Sequence, residues 1–310
     1  MTMTKAIARR LLEFLIVFFG VTFLIYAAVY ALPGDPVASL AGDRPLPANV
    51  MEALRAKYHL DEPLWQRYLD YLKDLLHLDF GTTFAGDSVR SEMASRWPVT
   101  IALASTAWLL ELLIGIGLGA IAAVKRGTWI DKGILAGTVL LSAVPVFVVG
   151  VTCQLVFGVK WHMFPIAGTT EGWPRAYLLP SLVIAAFGLA AVSRLTRESM
   201  INSLHSDYIR AAKARGVPPT SLIGKHVMRN SMIPTVTFLA TDLGYLLGGA
   251  VVVEGIFNLP GIGNLLFTSI RTQQGPTVVG IATALILIFL VTSIIVDIIQ
   301  AALDPRTRGA

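Results

Sequence analysis

The sequence predicts an all-α polytopic membrane protein with six transmembrane helices, both termini cytoplasmic, and a helical extracytoplasmic segment between the first two spans. Three observations predict it. Apolar residues make up 55% of the chain and charged residues only 15%, whereas a soluble domain carries roughly a quarter charged. Six apolar runs, 11–32, 99–124, 133–159, 176–193, 232–253 and 277–303, approach or exceed the about 20 residues needed to cross a bilayer core. No period-2 alternation accompanies them, which argues against a barrel.

The third observation is where the basic residues fall. Net charge is +5 and the isoelectric point about 9.4, values that also suit a nucleic-acid binder. Topology explains them better, because Lys and Arg gather on the cytoplasmic side of spans. With both termini inside, the short inner segments carry Lys5, Arg9, Arg10, Lys125, Arg126, Lys132, Arg306, Arg308 and the basic residues between Arg194 and Arg229. The short outer loops carry only Lys160, Arg175 and Arg271. No nucleic-acid partner is expected.

The first run is too long for a signal-peptide core and lacks a small-residue cleavage site, so it is expected to remain as an anchor. It ends at Pro33, Gly34 and Pro36, which stop a helix. A polar excursion follows. Apolar residues return there at helical spacing, as Met51, Leu54 and Tyr58, then Leu64, Tyr68, Tyr71, Leu72, Leu75 and Leu76, and Pro63 divides the pattern into two amphipathic helices. Segment 37–96 reads equally as a cap on the outer surface or as a dock and gate for something arriving from outside. Residues 1–98 thus form an N-terminal span with an extracytoplasmic helical segment, and 99–310 a five-span core.

Span two begins after Arg96, Trp97 and Pro98. Gly115/Gly119, Gly133/Gly137 and Gly244/Gly248 repeat a spacing that lets helices approach closely, read here as packing within one bundle. Glu13 and Asp297 fall near span ends and are expected at the interface. Glu111, Asp242 and Glu254 are the candidate pathway residues, since charges in apolar runs face protein or water. Pairing with a polar group inside the bundle is preferred over a proton path, as the sequence shows neither paired carboxylates nor an intramembrane histidine. The lone Cys153 sits in an apolar run and reads as a buried small side chain. Residues 254–263 read as a short elbow on the outer side.

Between spans four and five lies a polar loop, 204–231, with five basic residues (Arg210, Lys213, Arg215, Lys225, Arg229) against one acid, Asp207, in its 206–231 stretch. Nothing breaks a helix before Arg215; Gly216 then offers a cap and Pro218-Pro219 forbids continuation. A capped surface helix held between two spans can carry a push from another protein into the membrane. Hydrolytic chemistry finds no support. There is no GxxxxGK[ST], GxSxG or HExxH, and the adjacent His205, Ser206 and Asp207 point in different directions on a helix. No catalytic, cofactor or metal residue is assigned.

These residues resemble the membrane subunits of ABC importers, specifically the dipeptide/oligopeptide permease group. The general hallmark is E-A-A, three residues, then Gly. Here Arg210 replaces the Glu, followed by Ala211, Ala212, Lys213, Ala214, Arg215 and Gly216, and the distance to Pro234 is longer than usual. Both departures are similar to the peptide subgroup, which writes D-Y-x-R-x-A-x-A-x-G (Asp207, Tyr208, Arg210 through Gly216) and then H-x-x-R-N (His226, Arg229, Asn230). Pro33-Gly34-Asp35-Pro36, 60–68, Asp79-Phe80-Gly81, 254–263 and 303–306 match further signatures in order.

The resemblance implies a permease in the cytoplasmic membrane of a prokaryote. It would pair with a homologous second permease, two cytoplasmic ATPases that bind the ATP and Mg, and an extracytoplasmic peptide-binding protein, with no cofactor in this chain. Asp207, Tyr208 and 210–216 would seat in an ATPase groove. Relatives of the group imply other cargoes, namely nickel, glutathione or an oligosaccharide. From another class, an ion-coupled secondary transporter would need inverted repeats and matched broken helices; Pro145 stands alone in that respect. An intramembrane enzyme is a third, weaker reading.

Overall fold

The computed structural model describes residues 3–30, 47, 49–50, 52, 62–83 and 85–303. Among them the regular elements are helical, apart from one isolated bridge between Thr82 and Ser88. In chain order they are α1 (Met3–Tyr30), α2 (Leu64–Leu76), α3 (Val89–Leu110), α4 (Ile116–Val124), α5 (Trp129–Ala143), α6 (Val146–Cys153), α7 (Arg175–Leu204), α8 (Asp207–Ala214), α9 (Met228–Ile256), α10 (Ile262–Arg271) and α11 (Gly275–Leu303). The signatures at Pro33–Pro36 and 304–306, and most of the amphipathic stretch before Pro63, lie outside the described residues.

Among the described residues, four helices are long and apolar enough to cross a membrane: Leu12–Tyr30, Val89–Val124, Arg175–Leu204 and Gly275–Val296. Two bent pairs bring the number to as many as six. One is the third apolar run, which turns by 103° between Trp129–Ala143 and Val146–Lys160. The cause is local. Pro145 disfavours helix at the residue before it, and Val144 is accordingly extended, at φ −92° and ψ 128°.

Two helix limits differ from those expected. The second span begins at Val89 and passes through Pro98 instead of starting at 99. Its polar first turns are held by packing, since Val89 and Met93 are buried with Ile262, Leu265, Ile281 and Ala284. The fourth helix continues to Leu204, because the apolar run marks only the stretch suited to lipid and good helix formers carry the helix beyond it.

The chain divides into two compact units. One comprises the described residues up to Thr100 with Pro260–Val291; the other comprises Ile101–Leu259 with Thr292–Leu303. In the first, α2 lies along α1: the Tyr68 hydroxyl is 2.8 Å from Thr22 Oγ1 and donates to the Phe19 carbonyl at 3.1 Å. In the second, α7 is central, with 78% of its apolar window buried against 17% for α1.

Close approach there depends on two glycines. A Cβ at Gly115 would stand 2.7 Å from Val192 Cγ1, and one at Gly119 2.5 Å from the Ser193 carbonyl. The packing reading of that pair therefore holds. At Gly133, Gly137 and Gly248 a Cβ would meet nothing within 4 Å, so the same spacing makes no such contact among the described residues.

Candidate functional site

The polar loop after α7 folds as the capped helix α8. Its end is a complete Schellman closure: Gly216 adopts φ +78°, its N–H donates to the Lys213 carbonyl at 3.0 Å, and the Val217 N–H donates to the Ala212 carbonyl at 3.2 Å. Pro218 and Pro219 then begin a new turn. A π-helical turn over Leu222–Val227 leads into α9.

One face of α8 is anchored. Ile209 and Ala212, one helical turn apart, are buried with Ala123 of α4, Met200 of α7, Leu222 and Val227. Val217, just after the cap, packs on the same cluster. The other face is free: Asp207, Tyr208, Arg210, Ala211, Lys213, Ala214, Arg215 and Gly216 are exposed, and Asp207 pairs with Arg210. The structure thus splits the nine sequence candidates into eight on the surface and one, Ala212, in the anchor. It adds Ile209, Leu222 and Val227, whose only sequence signal is apolar character inside a basic loop.

Tyr208 lies at the edge of the free face, beside Ser203, Ser206 and Asn230. Burial pushes its phenol up, but hydrogen bonding with Asn230, Ser203 and Ser206 outweighs burial and leaves it below the usual tyrosine value. The His-Ser-Asp run is dispersed into local bonds. His205 Nδ1 lies 2.7 Å from the Ile201 carbonyl and Ser206 Oγ donates to Ser203 at 2.5 Å.

A second feature braces the same end of the bundle. Asp131 on α5 accepts from Arg197 Nε at 2.6 Å and Nη2 at 2.8 Å, and from the Gly127 N–H at 2.9 Å. The Asp131 side chain is 3% exposed. Two parallel bonds from a planar guanidinium fix direction as well as distance, so α5, the turn before it and α7 are locked together.

The candidate pathway carboxylates are placed as follows. Glu111 opens a π-helical turn between α3 and α4 and is fully buried, with its carboxyl group against Gly188 of α7. Asp242 of α9 faces it. Among the described residues, both Glu111 oxygens and Asp242 Oδ2 find no hydrogen-bond partner. The expectation that no carboxylates pair is therefore corrected: helix packing brings together two groups 131 residues apart, a separation at which spacing carries no signal. Glu254 is buried further along α9, near Tyr177. Twelve residues of helix, about 18 Å, set it apart from Asp242. The elbow beyond it buries Phe257 and Leu259 and accepts a bond from the Gly168 N–H on the Phe257 carbonyl at 3.0 Å.

Comparison with known proteins gives a consistent picture. A family model described as "Binding-protein-dependent transport system inner membrane component" matches residues 115–309, and its N-terminal companion matches 3–104. The glutathione transport system permease proteins GsiC of Escherichia coli (strain K12) and Shigella dysenteriae serotype 1 (strain Sd197) are each 36% identical over 309 residues, covering 99% of this chain and 99% of theirs. Among solved structures, an inward facing conformation of the MetNI methionine ABC transporter has TM-score 0.57 and 15% identity, covering 68% of this chain and 96% of that one. At that identity the likeness is one of fold.

Proposed function

We propose a function from one premise: the chain belongs to the binding-protein-dependent transport system inner membrane components and is the permease subunit of an ABC importer, a multi-pass protein of the inner membrane. Membership implies partner ATPases, a substrate-binding protein and a second permease. On this reading the chain crosses the membrane six times with both termini cytoplasmic, and residues 99–310 form the core that holds the coupling loop 204–231.

The coupling element is α8. Its exposed face, Tyr208, Arg210, Ala211, Lys213, Ala214 and Arg215, seats in a groove on one ATPase. ATP and Mg bind to the ATPases, not to this chain. When the ATPase pair closes, the push enters through α8. Ile209 and Ala212 pass it to the ends of α4 and α7, and the continuous chain through Leu222 and Val227 passes it to α9. Because Arg197 holds α7 to α5 through Asp131, the helices respond together, which suits alternation between inward- and outward-open states.

The cargo is a short peptide. The observation that carries this is likeness along the full chain to a glutathione permease; glutathione is itself a tripeptide, so peptide and glutathione cargoes form one class. Competition uptake tests it. Unlabelled dipeptides, tripeptides and glutathione should each displace a labelled peptide delivered by the cognate binding protein. Displacement by nickel or an oligosaccharide alone would remove the peptide reading and leave the importer intact.

A further inference from the structure

Helix α2 carries three distinct faces. Tyr68 and Leu75, with Leu64, Tyr71 and Leu72 beside them, pack against α1 and α11. Trp65, Leu69 and Leu76 are apolar yet 61%, 48% and 84% exposed. Gln66, Asp70, Lys73 and Asp74 form the remaining stripe at helical spacing, with Lys73 Nζ bonded to Asp70 at 2.6 Å. A helix lying on a water-facing surface needs only two faces, one apolar and one polar.

The depth of α2 explains the third. Leu64 lies with Val29 and Tyr30 at one end of the α1 span. Tyr68 reaches Thr22 and Phe19, and Leu75 meets Phe18 and Leu290, with Phe14 alongside. Across its 13 residues, about 20 Å, α2 therefore runs back beside a membrane span, through much of the about 30 Å of a hydrocarbon core. Its partner on the other side, α11, is apolar from Gly275 to Val296.

At that depth an exposed Trp65, Leu69 and Leu76 are at home in lipid. A groove of about 490 Å³ beside them is lined by Phe18, Phe19, Leu72 and Leu287 on its apolar side and bordered by Lys73 of the charged stripe, so the lipid-facing and polar faces meet along it. The charged stripe is not at home there, because ionised side chains in hydrocarbon must face protein or water. Among the described residues of its own unit no helix covers it, and Gln66, Lys73 and Asp74 are exposed.

We propose that α2 dips into the membrane alongside α1 and α11 and that its stripe of Gln66, Asp70, Lys73 and Asp74 walls a water-filled vestibule open to the outer side. The inference rests on α1 and α11 being spans, not on the cargo. It replaces a cap above the membrane with a wall inside it.

Cysteine accessibility tests the proposal in the assembled importer in native membranes. In a Cys153→Ala background, Gln66→Cys and Asp74→Cys should react with a membrane-impermeant maleimide added from the outer side at least about tenfold faster than Leu69→Cys and Leu76→Cys, since the reactive thiolate needs water. His77→Cys, at the next position of that spacing just past the end of α2, reports instead if Asp74→Cys fails to accumulate. Equal reaction at all positions would place α2 outside the membrane, and an inert stripe would place protein or lipid against it; either overturns the proposal. Thr272→Cys, beyond α10, reports orientation separately. If it reacts only from the inner side while the α2 contrast persists from there, the vestibule stands and the outer-facing assignment falls.

Discussion

At Gly216 the backbone needs φ +78°, a conformation that costs a residue with Cβ roughly 1–2 kcal/mol, although a Cβ there would meet no other atom. Gly216→Ala should therefore insert normally and lower the transport rate modestly, with Gly216→Asn milder still. Gly216→Pro fixes φ negative and removes the N–H that bonds Lys213, so uptake should be abolished with membrane insertion unchanged. Uptake measured beside a protease-protection assay of insertion separates these outcomes. Normal uptake by the proline variant would sink the role assigned to the cap. The two alanines next to it divide equally clearly. Ala211→Asp alters only the exposed face and should lose transport while accumulating normally. Ala212→Asp places a charge among Ile209, Met200 and Leu222 and should reduce accumulation itself. The motif spells both alanines alike. Only the helical spacing from Ile209 to Ala212 hints at which is buried, and of its partners Ala123 comes from a helix far back in the chain.

At the scale of elements, the long apolar helices were legible as apolar runs and Pro145 stood out as a break, but why the other prolines leave their helices intact was not legible. Pro98, Pro180 and Pro234 all sit inside continuous helices, whereas Pro145 stands at a 103° turn. The residue type is the same in each case; what differs is whether packing holds the preceding residue helical. The same limit hid the facing of Glu111 and Asp242, and the bond between Asp131 and Arg197, which spacing cannot reveal. That last pair yields a prediction. Arg197→Ala leaves Asp131 hydrogen-bonded only to the Gly127 N–H, with Arg126 nearby, and removing one partner of such a pair is destabilising. The assembled importer should melt measurably lower and hydrolyse ATP with weaker dependence on loaded binding protein, because α5 and α7 no longer move together. Arg197→Lys keeps the charge but not the two-bond fork and should fall between. If Arg197→Ala melts like the parent protein, the pair is not a brace.

At the scale of the whole molecule, the coupling role proposed for α8 places the source of force in other chains. The sequence contains no Walker loop, and α8 presents eight of its nine candidate residues outward with nothing of its own unit upon them. On the proposed reading, an ATPase covers that face in the assembled importer. Purification from native membranes in mild detergent should retain a second permease and Walker-containing ATPases, identified by mass spectrometry. The same purification of Ala211→Asp should keep the second permease and lose the ATPases, because the substitution touches the exposed face of α8 and leaves the buried anchor intact. That contrast separates assembly within the membrane from docking at the cytoplasmic face. If the variant instead retains the ATPases at parental stoichiometry and still fails to transport, α8 seats normally and the defect lies in transmission through Ile209 and Ala212. If the parent chain emerges alone even after crosslinking, a surface built to receive a push has nothing to push it, and the coupling role assigned to α8 falls.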